Sequence, residues 1–253
     1  GEFVEGRGVL AQIAQKFKDQ EIGQQAKARW EDPFMRRRTI KKTGREENRV
    51  NINFLAEGYT VEKHEDQQGF DFTADRTMKF VLEKTEPWTE YAGYYNYFAQ
   101  NLWSKERGVS REPGGIKKDT PCGGMINGGT FTVDNGKARF WVEKFPGPSQ
   151  AVCIGNDNAS VATGGGGAVA VVKGMIDVTG HELGHAFGSL LDEYDFDPGG
   201  KPGPAPAPNP IPTEVLAVNV IKGNQKDDLR AKAPWQHWMG TDNWTGKIVD
   251  IFE

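Results

Sequence analysis

Two histidines stand four residues apart around a glutamate, in the run His181-Glu182-Leu183-Gly184-His185. On a helix, positions i and i+4 share a face, so the two imidazoles project side by side. Imidazole nitrogen binds zinc at about 2.0–2.1 Å, in sites that prefer four tetrahedral ligands. Glu182 falls between the two candidate ligands, placed to reach a water on the metal rather than the metal itself. Three protein ligands would leave one position for that water, and zinc lowers its pKa to about 7. Glu182 would take its proton, the oxygen would attack a carbonyl polarised by zinc, and Glu182 would protonate the leaving amine. The predicted chemistry is hydrolysis of an amide without a covalent intermediate. A helix with incidental histidines is the competing reading.

Spacing leaves the third ligand open. The compact pattern HExxHxxGxx followed by His or Asp would put it at Leu191, which cannot bind metal. Asp192, one residue later, is the favoured ligand and Glu193 the alternative, the other carboxylate orienting a ligand. Glu214 is a lesser option. Gly188 can end the helix and let the chain turn back. Asp195 and Asp197 extend the acidic stretch, which reads as a solvated loop rather than a calcium site.

The elements that must position this motif are legible in outline. The helix is expected from about Val178 to Gly188, with Gly184 keeping its surface slim. Leu10, Ile13, Ala14 and Phe17 predict an amphipathic helix, as do Ala74, Met78, Val81 and Leu82, ended by Pro87. Val50, Ile52 and Phe54 alternate with Asn51 and Asn53, which predicts a half-buried strand ended by Glu57-Gly58. Further strands are expected at Tyr97 to Trp103, Ala151 to Ile154 and Ala168 to Val172. Phe131 and Val133, then Asn135-Gly136, then Ala138, Phe140 and Val142 predict a β-hairpin. The basic run Arg36-Arg37-Arg38 with Lys41-Lys42 reads as a solvated surface segment. Six prolines at alternate positions from Pro202 to Pro212 exclude helix and central strand there.

Composition narrows the class. The chain has 253 residues, and 31 Lys+Arg against 35 Asp+Glu give a net charge of −4. Aromatic residues are 11%, too many for a disordered chain of weak net charge. A pI of about 5.7 supplies no positive field for nucleic acid. The longest uncharged apolar run is far short of the roughly 20 residues that span a bilayer. The start of the chain shows no basic segment followed by an apolar one, so a leader peptide is not expected within this sequence. Cys122 and Cys153 fit one disulfide or two buried thiols. Asn158-Ala159-Ser160 and Asn243-Trp244-Thr245 are glycosylation sequons. Oligomeric state is not encoded.

The run from His181 to Tyr194 resembles the signature of the igalysin-type, or IgA-peptidase, family of bacterial zinc metallopeptidases. Asn51 to Thr60 resembles the strand and turn that open that family's catalytic domain. Gly164 to Val172 resembles its glycine-rich segment and strand before the active-site helix, and Trp235-Gln236-His237-Trp238 a tryptophan-rich segment after it. The resemblance implies an α+β, metzincin-like zincin domain: a twisted mixed sheet packed with helices, the HExxH helix among them. It implies a secreted or cell-surface zinc metalloendopeptidase acting on a protein or peptide, with His181, His185 and Asp192 on Zn2+ and Glu182 as general base. It further implies that Ala168 to Val172 is a sheet-edge strand that pairs with extended substrate. Residues 1–49 form an N-terminal helical and basic segment, and 50–253 the catalytic domain. The family's methionine-containing turn is expected beyond Glu253, with Met239 a lesser candidate. Two other functions compete: an inactive peptidase-like surface binding module, and a zinc amidohydrolase acting on a non-protein substrate.

Overall fold

A computed structural model describes residues 9–10, 12–31, 37–60, 63–102, 104–165, 167–190, 214–217, 220–222 and 231–232. In chain order its longer elements are α1 (Glu21–Glu31), β1 (Arg37–Lys41), β2 (Val50–Glu57), α2 (His64–Arg76), β3 (Tyr95–Gln100), β4 (Ser110–Glu112), β5 (Met125–Asn127), β6 (Thr130–Thr132), α3 (Asn135–Val142), β7 (Ser149–Gly155), β8 (Ala162–Gly165), β9 (Ala168–Val172), α4 (Thr179–Gly188), β10 (Glu214–Ala217) and β11 (Val220–Lys222). Residues 1–187 and 188–253 form two separate units. In the second, β10 and β11 pair antiparallel.

The first unit is organised by a six-stranded sheet in the order β1-β3-β2-β7-β9-β8. The strands β3, β2, β7 and β9 are mutually parallel, while β1 and β8 run antiparallel to their neighbours at the two edges. Parallel strands are covered on both faces. That corrects the expectation for β2: Asn51 and Asn53 are as buried as Ile52 and Phe54. Both amides find partners inside. Asn51 Nδ2 donates to the carbonyls of Glu46, Pro146 and Pro148. Asn53 Nδ2 donates to Asn51 O, and its Oδ1 accepts from Arg37 Nε at 3.0 Å.

Each face has its own core. Val169 and Val171 of β9 join Ile52, Phe54, Val152, Ile154, Met78 and Leu183 in the larger cluster. Ala170 and Val172 join Val109, Ile126 and Phe131, beneath the small sheet β4-β5-β6. Strand β9 has β7 on one side and β8 on the other. It is therefore not the sheet edge expected from the sequence. The edge is β8, whose Ala-Thr-Gly-Gly sequence carries little apolar surface to cover.

Three local expectations are also corrected. The hairpin after Phe131 is a strand followed by a helix. Asp134 caps α3 by accepting from Lys137 N at 3.0 Å, and Ala138 and Val142, one turn apart, are buried while Phe140 is exposed. The strand sought at Tyr97 to Trp103 is β3, beginning at Tyr95. The basic run is not a free cationic face. Arg37 packs between the rings of Phe98 and Phe145 and bonds Glu46 at 2.5 Å, Arg38 meets Asp71 and Asp75, and Lys41 meets Glu83. The stripe Ala74, Met78, Val81 and Leu82 is buried as expected, on α2 continued by a π turn at Thr77–Val81 and a 3-10 turn at Leu82–Lys84. The expected N-terminal helix is present at residues 9–10 and 12–16, with Ala14 buried.

The last residue of β2 ties the sheet to the layer above it. Glu57 is fully buried, and its carboxylate accepts from Cys122 N at 2.9 Å and Gly124 N at 2.6 Å. Cys122 and Cys153 are both buried free thiols. Burial pushes the Glu57 carboxyl above its ordinary 4.5, against the pull of its hydrogen bonds. The folded state then holds a proton that the unfolded chain has released, so stability falls as pH rises from 4.5 through the raised value. Urea midpoints measured from about pH 5 to 8 should show that decline, and Glu57→Gln should flatten it. At the acid end the same substitution should cost about 1–3 kcal/mol, because its amide sets a donor against a backbone donor.

Candidate active site

The helix α4 follows β9 through a 3-10 turn at Ile176–Val178. Thr179, fully buried, closes the junction by donating its hydroxyl to Ile176 O at 2.6 Å. Leu183 is the apolar anchor of the helix, 1% exposed within the larger core. One helix side therefore faces the sheet, with Glu182 about 100° round the axis from Leu183 and His181 and His185 about 200° round it.

Two close approaches fix the helix in place. A Cβ at Gly164, on the edge strand β8, would lie 2.0 Å from Glu182 O. No side chain fits there, so the backbones of β8 and α4 meet directly. At Gly180, a Cβ would lie 3.1 Å from Trp88 Nε1. Trp88 also packs against Phe187 of α4, with ring centroids 6.5 Å apart, and against Tyr95 of β3 at 5.4 Å. Gly180 and Phe187 are seven residues apart, on one helix face, so this single indole grips two turns of α4. The close contacts fall at Gly164 and Gly180, where the sequence reading had singled out Gly184.

The site itself is narrow. His181 is exposed, His185 is half-buried, and Glu182 is 9% exposed. The Nε2 atoms of His181 and His185 converge to 3.0 Å, with the rings at 88°. Two ligand nitrogens on a tetrahedral zinc are separated by about 3.3 Å for bonds of 2.0–2.1 Å. The pair therefore fits a shared cation with a small opening of the two rings. Imidazole nitrogen suits zinc and other borderline metals.

Asp192 and Glu193 lie outside the described residues, as do Tyr194, Asp195, Asp197, His237 and Met239, and nothing is described of the Glu214 side chain. Among the described residues, no cluster of three or more His, Cys, Asp or Glu side chains could hold a metal. The structure thus brings together His181 and His185, with Glu182 beside them on the helix. Two positioning residues were missed from the sequence. Trp88 gave no periodic signal. Gly164 was visible only as one member of a glycine run, with nothing to single it out.

The sequence matches the profile of the IgA Peptidase M64 family over residues 39–242. The chain belongs to that family. No curated protein matches it. Membership makes this M64 protein a metallopeptidase by family, with protein or peptide as its substrate class. No described helix is long and apolar enough to cross a membrane.

The contact at Gly164 generates a sharp contrast. Gly164→Ala should lower stability by about 1–3 kcal/mol, the usual penalty for overpacking. At Gly165, next in the same strand, a Cβ would meet nothing within 4 Å. Gly165→Ala should leave the urea midpoint unchanged.

Proposed function

We propose that this M64 family member is a zinc metalloendopeptidase with a metzincin-like catalytic domain. The observation that carries the reading is the convergence of His181 and His185 Nε2 at 3.0 Å, on the helix that also carries the buried Glu182. The two imidazoles would hold zinc, with Asp192 as third ligand and Glu193 as its alternative. Bound there, zinc supplies Lewis acidity to the scissile carbonyl and to water.

The protein's own residues supply the rest. Glu182 takes a proton from the attacking water and returns it to the leaving amine nitrogen, so one carboxylate serves both halves of the reaction. Its burial strengthens that electrostatic role, since few waters compete for the charge. The edge strand β8 is the element that receives substrate. Among the described residues no strand pairs with its outer side, so its free N–H and C=O groups can add an extended peptide to the sheet. That peptide would run beside α4, because β8 and α4 are in backbone contact at Gly164.

The metzincin-like reading draws support from this pairing of an antiparallel edge strand with the HExxH helix. The sequence alone begins the catalytic domain at residue 50, with 1–49 preceding it. The pairing of β1 with β3 favours starting the domain earlier, at Arg37. A secreted or cell-surface location follows from the family resemblance alone.

The test combines elemental analysis with cleavage of a degenerate peptide library. Wild type should bind one zinc per chain and cleave. Glu182→Gln should keep the metal and lose at least about 100-fold in kcat/KM. His185→Ala should lose both. Zinc without hydrolysis of any peptide would instead favour a binding module or a hydrolase of non-protein amides, and a folded protein that takes up no zinc would sink the site.

A further inference from the structure

We propose that β8 carries a side-chain subsite on the face opposite α4, selective for an uncharged, ring-sized residue of the substrate. The proposal rests on the peptidase reading above and adds which side chains the site accepts. A cavity of about 210 Å³ opens beside β8, bounded by Thr132, Val133, Asn135, Thr163, Ala168 and Ala170. It lies within the first unit, between the end of β6, the start of α3 and the strands β8 and β9.

The pleat of the sheet decides which substrate residue meets it. In β8, Thr163 pairs with Ala170 and Gly165 with Ala168. Paired residues share a face, and those four positions all border the cavity. Gly164, between them, turns its missing Cβ the other way, onto Glu182 O. A peptide added to the outer edge of β8 must follow the same alternation. The residue opposite Thr163 or Gly165 sends its side chain toward the cavity. The residues before and after it send theirs to the α4 face, where His181 and His185 stand. The cavity therefore reads one position in the substrate and skips its neighbours.

Size and lining set the preference. An apolar cavity of about 150 Å³ already takes a benzene ring, so 210 Å³ admits a phenyl or phenol side chain. The walls include the methyl groups of Val133, Ala168 and Ala170, and among the described residues no charged side chain lines them. The Thr163 hydroxyl is engaged with Phe131 O. A Lys, Arg, Asp or Glu entering here would shed water with no opposite charge lining the cavity to meet it. The mouth is open: Gly165 is exposed and a Cβ there would touch nothing. A larger residue at 165 can therefore plug the cavity without left-handed backbone strain.

The experiment profiles cleavage of a degenerate peptide library by the zinc-loaded full chain, as wild type, Gly165→Val and Thr132→Lys. Wild type should show one subsite preferring Phe, Tyr or Leu over charged residues by about tenfold or more. Gly165→Val should lower kcat/KM for peptides with a ring at that subsite about tenfold relative to those with Ala there. Thr132→Lys, a change at an exposed rim residue, should turn the same subsite toward Asp and Glu. Cleavage with equal tolerance of charge at every subsite, or with a preference neither variant moves, would overturn the proposal. A second measurement keeps it separable from the peptidase reading. Pentapeptides Ala-Ala-Tyr-Ala-Ala and Ala-Ala-Glu-Ala-Ala are titrated into isotope-labelled protein. The tyrosine peptide should shift the backbone amides of Thr132, Thr163 and Ala168, and the glutamate peptide should not. Those shifts without any cleavage would retain the subsite and refute the peptidase, whereas cleavage without them would do the reverse.

Discussion

A backbone-to-backbone contact governs this structure. Where Gly164 meets Glu182 O there is no room for a single methyl group. The edge strand and the HExxH helix are thereby locked at a separation that any other residue would enlarge. Everything proposed for the site depends on that separation. The histidines project from the helix, an incoming peptide would hydrogen-bond to the strand, and the chemistry requires the two within reach of each other. Glycine here costs conformational entropy in the unfolded chain, and the short distance offsets that cost functionally.

Behind the contact lies the six-stranded sheet. Four parallel strands, buried on both faces, form the middle of that sheet. Such strands would ordinarily be all apolar. This sheet instead sets three asparagines and a carboxyl into its interior, each with hydrogen-bond partners. Asn51 and Asn53 of β2 are joined by Asn96 of β3, whose Oδ1 accepts from the backbone N–H of Thr43 and Gly44 and whose Nδ2 donates to Asn51 Oδ1. Glu57 serves the layer around Cys122 and Gly124. Unpaired, each of these groups would be a liability; paired, they fix the loops around the sheet in one arrangement.

From the other side, Trp88 completes the clamp. It joins α4 to the aromatic stack that continues through Tyr95 and Tyr97 to Phe54 in the central strand. The rotation of α4 about its axis is set by that stack and by Leu183, while Gly164 sets its distance from the sheet. Rotation and distance together decide where two imidazoles on one face of a helix point.

The sequence by itself determined what is local. The spacing of His181 and His185 fixes a shared helical face, because an α-helix has only one period. The burial of Ala74, Met78, Val81 and Leu82 and the apolar core of β2, β7 and β9 were legible for the same reason. Tertiary structure decided what depends on neighbours. Asn51 and Asn53 look solvent-facing until β3 and β7 flank them. Phe131 to Val142 alternates like a hairpin, yet Asp134 caps a helix there and one turn of it finds the core. The interior place of β9 and the edge place of β8 follow from strand order, which no single strand's residues encode. The closeness of Gly164 to Glu182 was invisible for a simple physical reason. A glycine announces that a side chain is absent, and only the folded chain shows what occupies the space that it leaves.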